Sequence, residues 1–292
     1  MNTDIRVAVC TNRPPAAVAE ALAALREQAG EGALALVTSG LEPPAVDAHR
    51  AASGVDVLVE PRPGLSRARN RALAWAAEAG AEVLAFVDDD AVVDPGWWQA
   101  LRSRWQEAPP EVACIGGPIR PRYDSPPPPW LSDGIAHTLT LLDRGPEARD
   151  LDLEPEAVYG ANISFRVGPL RQAGGFDPGL GHAGTRTFFA EEDEAQRALK
   201  RLGYRTRYVP DAGVRHVIGA ERLTRASFIA RRFAFGVTLG MHGRRSRTTA
   251  ARQALASAAG AAVASAQRRP ALAMERAVRA AENAGALTAR RR

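Results

Sequence analysis

The 292-residue chain has few cysteines, one lysine, few aromatic residues and no long apolar run. Cys10 and Cys114 lie far apart with no C-x-x-C pair, so a disulfide framework is excluded and the chain reads as a protein of a reducing cytoplasm. The longest weakly charged stretch, 253–267, consists mostly of Ala, Ser and Gly and is too weakly hydrophobic to span a bilayer. Met1-Asn2-Thr3-Asp4 lacks the basic-then-apolar pattern of a secretory leader. Aromatic residues make up 6% of the chain and are absent after Phe235, which disfavours base stacking there and nucleic acid as a partner.

What is present is an ordinary globular composition, 46% hydrophobic and 24% charged, which excludes disorder, collagen and fibrous coiled coil. The length allows one large α/β domain, or a medium domain with an appendage, burying roughly three quarters of the unfolded surface. Charge is segregated. Across residues 222–292, 15 arginines stand against Glu275 and Glu282, a net +13, which leaves −8 for residues 1–221 of the overall +5. A basic tail on an acidic body points to an anionic partner, a membrane surface, a phosphorylated ligand or nucleic acid, unless it is simply a solvated helical face.

Apolar runs alternate with amphipathic stretches. Residues 6–10 read as a buried strand, and Pro14-Pro15 opens a helix with Val18, Leu22 and Leu25 at helical spacing. Strand-like runs at 33–37 and 55–59 end in Thr38-Ser39-Gly40 and in the Pro/Gly-rich 60–64. The spacing then predicts a helix over 65–79 and a strand over 83–87, the rhythm of a mainly parallel sheet covered on both faces. The middle is less regular, with a strand at 113–115 and loops through the prolines at 126–129 and the acidic 143–156. Order returns at 157–159 and 163–166. A helix is expected over 191–202, and short strands at 208–209 and 214–217. Beyond Leu223 the pattern is helical, with breaks at Gly243 and Pro270 and fraying at Arg290-Arg291-Arg292.

Two acidic clusters carry the chemistry. Asp88-Asp89-Asp90 follows an apolar strand, at the strand end where open α/β sheets bind ligands. A pair of carboxylates ~4 Å apart repels by about 4 kcal/mol at an effective dielectric near 20, and a divalent cation relieves this, although a turn that favours Asp reads similarly. Glu191-Glu192-Asp193-Glu194 opens a helix with more acids than the helix dipole needs, and a crowded carboxylate suits a catalytic base. The turn at 63–70 opens a helix with Arg67 and Arg69 in its first turns, residues suited to phosphate.

The order of the motifs resembles that of a family 2 glycosyltransferase of the GT-A fold. These are Thr11-Asn12-Arg13 after the first strand, GLSRARN (64–70), FVDDD (86–90), GANISFR (160–166), GGFDPGLG (174–181), AEEDEAQRALKRLGY (190–204), VPDAGVRH (209–216) and ERLTR (221–225). The resemblance covers roughly residues 5–235. It implies a Rossmann-like GT-A domain over 1–225, a mixed, mainly parallel sheet with flanking helices, followed by a helical tail over 226–292. The activity implied is inverting transfer of a sugar from a nucleoside diphosphate sugar, UDP by family default, with Mn2+ or Mg2+ on the diphosphate. Asp88 and Asp89 would lie on the nucleoside side, and Asp90 and His216 at the metal. Thr11, Asn12, Arg13, Ser39, Arg69 and Asn70 would line the nucleotide pocket, and Gly160 and Asn162 would border the donor sugar. The family's base is the Asp of a Glu-Asp pair. Here Glu191-Glu192 is followed by Asp193, leaving Glu192 and Asp193 as candidates, with the longer Glu192 favoured.

Two departures bear on specificity: no acid follows the second strand to pair with the nucleobase, and no tyrosine precedes Asn12-Arg13. Trp130, behind four prolines, is the acceptor candidate. The acceptor class, small molecule, peptide or lipid-linked, stays open, as do a nucleotidyltransferase and a non-catalytic nucleotide-sugar-binding protein with an anion-binding tail. Phe228, Ile229, Phe233 and Phe235 with Arg231-Arg232 suit either a helix on the inner face of a membrane or a helical arm that packs on the body of the chain or on a second copy, the latter favoured.

Overall fold

The structure is a computed structural model that describes residues 3–153, 156–183, 186–188, 191–241 and 246–289. The breaks expected at Gly243 and the fraying at Arg290-Arg291-Arg292 lie outside the described residues. The chain forms two compact units. The first comprises Met1–Pro121, Leu142–Gly184 and Ala190–His216, and the second Arg122–Leu141, Thr185–Phe189 and Val217–Arg292.

In chain order the elements are β1 (Ile5–Thr11), α1 (Pro15–Ala29), β2 (Leu34–Ser39), α2 (Pro43–Ser53), β3 (Asp56–Glu60), α3 (Leu65–Glu78), β4 (Val83–Val87), β5 (Ala91–Val93) and α4 (Trp97–Glu107). β6 (Val112–Gly116), β7 (Ile119–Tyr123), α5 (Asp133–Ala136), β8 (Arg149–Asp150), β9 (Asn162–Arg166), α6 (Val167–Gln172), β10 (Gly181–Ala183), β11 (Arg186–Phe188) and α7 (Glu191–Arg201) follow. The last are β12 (Arg205–Tyr208), β13 (Val214–Ile218), α8 (Arg225–Met241), α9 (Arg247–Ala266) and α10 (Pro270–Thr288).

The first unit is built on an eight-stranded sheet in the order β3-β2-β1-β4-β9-β6-β12-β8. β1 runs parallel to β2 and β4, β2 to β3 and β6 to β12, whereas β9 runs antiparallel between β4 and β6. The all-apolar runs read as central strands because β2, β4 and β6 are buried along their whole length. Parallel pairing brings the carboxyl ends of β1, β2 and β4 to one rim. The antiparallel register Val87↔Asn162 brings the start of β9 to the same rim.

Several strands differ from the sequence reading: β7 forms in a stretch read as irregular, and β8 forms inside the acidic 143–156 read as loop, where it pairs antiparallel with β12. β12 begins three residues earlier than the expected 208–209, because the charges of Arg205 and Arg207 are taken up by Asp150 of β8, each at 2.7 Å. β5 was hidden by its length of three residues, and it pairs antiparallel with β13 in a small sheet ordered β5-β13-β7. Residues 157–159 form no strand; Gln196 holds that segment instead, its side-chain amide bonded to both the N–H and the C=O of Val158 at 3.2 and 2.9 Å.

The second unit has its own apolar core of Trp130, Ile135, Leu139, Ile218, Leu223, Phe228, Met274 and Val278. α8 and α10 cross with backbones in contact. A Cβ at Gly236 would collide with the Glu282 carbonyl, and one at Gly285 with that of Phe233, so glycine is what allows this approach. Arg232 is ion-paired with Glu282 across the same contact. The unit carries 17 arginines against five acids, a net +12, and the remaining residues carry −7, so the charge segregation of the sequence follows the two compact units.

Candidate active site

The rim of the first unit gathers most of the candidate residues. Thr11 closes β1, buried, and its hydroxyl donates to Asp89 Oδ2 at 2.5 Å while accepting the Arg13 N–H at 3.0 Å. This turn directs the Arg13 guanidinium to 3.5 Å from Asp89 and 3.6 Å from Asp90. His49, fully buried on α2 and not anticipated from the sequence, bonds through Nε2 to the Arg13 carbonyl at 2.9 Å and fixes the turn from behind. Asn12 is exposed. At the end of β2, Ser39 accepts the Gly64 N–H at 3.0 Å and so sets the entry into α3. Gly40 is left-handed (φ 63°), and a Cβ there would meet Pro63 at 2.8 Å.

α3 turns its inner polar residues toward other segments rather than toward solvent. Ser66 donates to the Leu180 carbonyl at 2.8 Å, and Asn70 exchanges two hydrogen bonds with the Phe176 backbone, at 2.7 and 2.9 Å. Arg69, only 2% exposed, packs against both the Phe86 and Phe176 rings, which themselves meet edge to face. Its guanidinium is 2.8 Å from Glu191 Oε1, 3.6 Å from Asp88 Oδ1 and 3.9 Å from Glu192 Oε2. Gly160 packs so closely on this guanidinium that any Cβ would displace it, and its N–H donates to Glu192 Oε1 at 3.3 Å. One buried cation therefore joins the two acidic clusters, which are about a hundred residues apart in sequence.

The electrostatics follow from this crowding. Loss of hydration, with the charges of Asp90 and Asp89, pushes the Asp88 carboxyl up to about 6 against the pull of Arg69 and His216. Burial also raises Asp89, opposed by the Thr11 hydroxyl. Burial, then the Glu192 charge, holds Glu191 well above the usual carboxylate range despite Arg69. Further along α7, Asp193 is 4.0 Å from Arg197 and Glu194 is 2.9 Å from Arg201.

Asp90 and His216 meet because β5 pairs with β13 in the register His216↔Ala91. His216 is 2% exposed and its Nε2 lies 3.0 Å from Asp90 Oδ1. Two donor atoms at this separation match neighbouring ligands of an octahedral ion with bonds of about 2.1 Å. No third His, Cys, Asp or Glu completes a cage among the described residues. A carboxylate and an imidazole with the other positions open suit a divalent cation that also takes phosphate oxygens.

Other candidates lie elsewhere or serve the fold. Asn162, nearly buried, accepts from Trp97 Nε1 at 3.1 Å and donates to the carbonyls of Pro118 and Ala212 at 3.2 and 2.7 Å, so its amide cross-links α4, β9 and two loops. Asn162→Ala leaves these three buried partners unsatisfied and is expected to lower stability by about 2–3 kcal/mol, read from urea unfolding at unchanged m-value. Trp130 is 8% exposed and packs edge-on against Phe228 in the core of the second unit. Arg231 donates to the Thr138 carbonyl in that unit at 3.2 Å. His49 and Gln196 gave no sequence signal beyond being polar residues on otherwise apolar helix faces.

The mixed sheet with β9 reversed between parallel strands, and acids at the rim, is the architecture of GT-A glycosyltransferases. The chain belongs to glycosyltransferase family 2: the model described as "Glycosyl transferase family 2" matches residues 7–170. A curated relative, the glucosyl-dolichyl phosphate glucuronosyltransferase of Haloferax volcanii, is 29% identical over 153 residues, 50% of this chain and 48% of its own. The chain thus aligns with about half the length of that relative. Among solved structures, the mannosyltransferase PcManGT of Pyrobaculum calidifontis, in complex with GDP-Man and Mn2+, superposes with a TM-score of 0.60 at 18% identity, covering 96% of this chain and 87% of its own. GalNAc-T7 with UDP, GalNAc and Mn2+ superposes at 0.53 and 14% identity, over 82% and 48%. These two likenesses establish the fold.

Proposed function

We propose that the chain transfers a sugar from a nucleoside diphosphate sugar to an acceptor nucleophile, with inversion at the anomeric carbon. The observation that carries this reading is the buried Arg69, which holds Asp88 at one strand end and Glu191-Glu192 at a helix start within 4 Å of one guanidinium. A donor site and a base for the acceptor need that juxtaposition. Family membership sets the nucleotidyltransferase alternative aside.

Asp90 and His216 would hold a divalent metal, Mn2+ or Mg2+, which when bound neutralises charge on the diphosphate leaving group. Thr11 and Arg13 shape the turn beside Asp89, and Asp88 faces the nucleoside. Arg13, the exposed cation of the rim, follows the phosphates as they leave. Glu192 accepts the proton of the acceptor hydroxyl as its oxygen attacks the anomeric carbon opposite the nucleotide. The nucleobase is uridine by resemblance. GDP-Man and UDP, named with the two solved relatives, mark both bases as ones to test.

The test is thermal stability with UDP, GDP, dTDP, ADP and CDP, each with and without Mn2+. One nucleotide is expected to raise the Tm of the wild type only with metal, equivalent to about 2.7 kcal/mol at a hundredfold excess over Kd, and Asp90→Ala is expected to abolish the shift. Absence of any shift with every nucleotide overturns the reading.

A further inference from the structure

Five large apolar side chains stand exposed among the described residues, and four of them, Ile229, Phe233, Leu255 and Val263, belong to the +12 unit. The most exposed are on α9, with Leu255 at 75% and Val263 at 53%. One face of α9 packs on α10, burying Ala250 and Ala264, and the Gly260 carbonyl accepts from Arg276 at 2.8 Å. On the opposite face Arg252, Leu255, Ala259, Ala262 and Val263 follow helical spacing, and Arg268 and Arg269 stand in the turn just beyond the helix end; all are exposed. Between Arg252 and Arg268 the sequence carries no charge at all. Exposed helix faces in solution are normally charged. This one is apolar along its middle and cationic at both ends.

We propose that the outer face of α9 docks on an anionic lipid bilayer. The helix lies flat in the interface, with Leu255 and Val263 entering the acyl boundary and Arg252 and Arg269 on headgroup phosphates. No described helix is long and apolar enough to cross a membrane, so α9 rests on the bilayer rather than spanning it. Charge selects this occupant. A second copy would bring two +12 units together, and a nucleic acid would meet an apolar strip with neither aromatic ring nor hydrogen-bond donor to offer its bases. α8 repeats the pattern in shorter form, with exposed Arg225, Ile229 and Phe233 one turn apart. The surface is separate from the transferase reading and is tested without reference to activity.

The experiment is flotation of the full chain with vesicles of equal parts phosphatidylglycerol and phosphatidylcholine, and with pure phosphatidylcholine vesicles, at physiological ionic strength. Binding to the mixed vesicles is expected, at least about tenfold tighter than to phosphatidylcholine. Leu255→Asp with Val263→Asp is expected to weaken it by about tenfold or more, and Leu255→Trp to strengthen it and to add indole emission that shifts blue on the vesicles. Both positions are exposed, and thermal melting of each variant checks that the fold is kept. The proposal is overturned if no vesicle is bound, or if the double aspartate variant binds as tightly as the wild type. It is equally overturned by a duplex oligonucleotide that displaces the vesicles and whose own binding the aspartates leave unchanged, or by a dimer in sedimentation equilibrium that Leu255→Asp dissociates.

Discussion

Replacing Arg69 with methionine is expected to lower the unfolding free energy by about 3–5 kcal/mol and to abolish sugar transfer. Methionine keeps the apolar packing against Phe86 and Phe176, so the loss is electrostatic rather than steric. Glu191 and Asp88 are left without the cation they share, and Glu191 is too buried to be hydrated in its place. The pH dependence has a definite sign. Glu191 is held above its unfolded range, so it binds its proton more tightly in the fold than in the unfolded chain. The stability it confers is full below the unfolded value of about 4.3 and is lost as pH rises through the folded value. Without the guanidinium that folded value climbs further. The Tm gap between Arg69→Met and wild type should therefore widen from about pH 5 to pH 8. Arg69→Met combined with Glu191→Leu removes both partners and should recover much of the stability without recovering transfer. A double variant that regains activity would show that Arg69 only supports the fold.

The legible and illegible parts of this molecule separate along physical lines. The strands at 83–87, 34–39 and 112–116 could be read because burial on both faces demands continuous apolar sequence. The helix start at Pro15 and the second break at Pro270 could be read because proline fixes the first helical residue. β12 was harder, since its arginines look like loop until Asp150 is found opposite them. The same limit applies at the rim. That Asp88 and Glu191 belong to one site could be anticipated from motif order. That Arg69 joins them could not, because an arginine on the inner face of an amphipathic helix gives the same pattern whether it meets phosphate or carboxylate. Asn70 and Asn162 illustrate this as well: both look like pocket residues by position, and both direct their amides to backbone groups of neighbouring segments. Sequence spacing locates a polar residue on a face. What the face meets is set by long-range packing.

Glu192→Gln is expected to reduce kcat by about 10²- to 10⁴-fold, the usual contribution of a general base, while the metal-dependent Tm shift with nucleotide persists. The four acids of α7 are not equivalent. Glu191 is engaged with Arg69 at 2.8 Å, Glu194 with Arg201 at 2.9 Å, and Asp193 lies beside Arg197. Glu192 has a mostly buried carboxylate that accepts from the Gly160 N–H at 3.3 Å, next to Arg69 but not in close contact with it. Glutamine keeps a carbonyl oxygen for that N–H, so the local fold is retained and only the capacity to take a proton is lost. Asp193→Asn should change kcat by no more than a few-fold, because its side chain is turned to the neighbouring turn of the same helix. The reverse ranking, with Asp193→Asn inactive and Glu192→Gln active, would move the base one residue along α7, reassigning Glu192 to positioning the Gly160 loop.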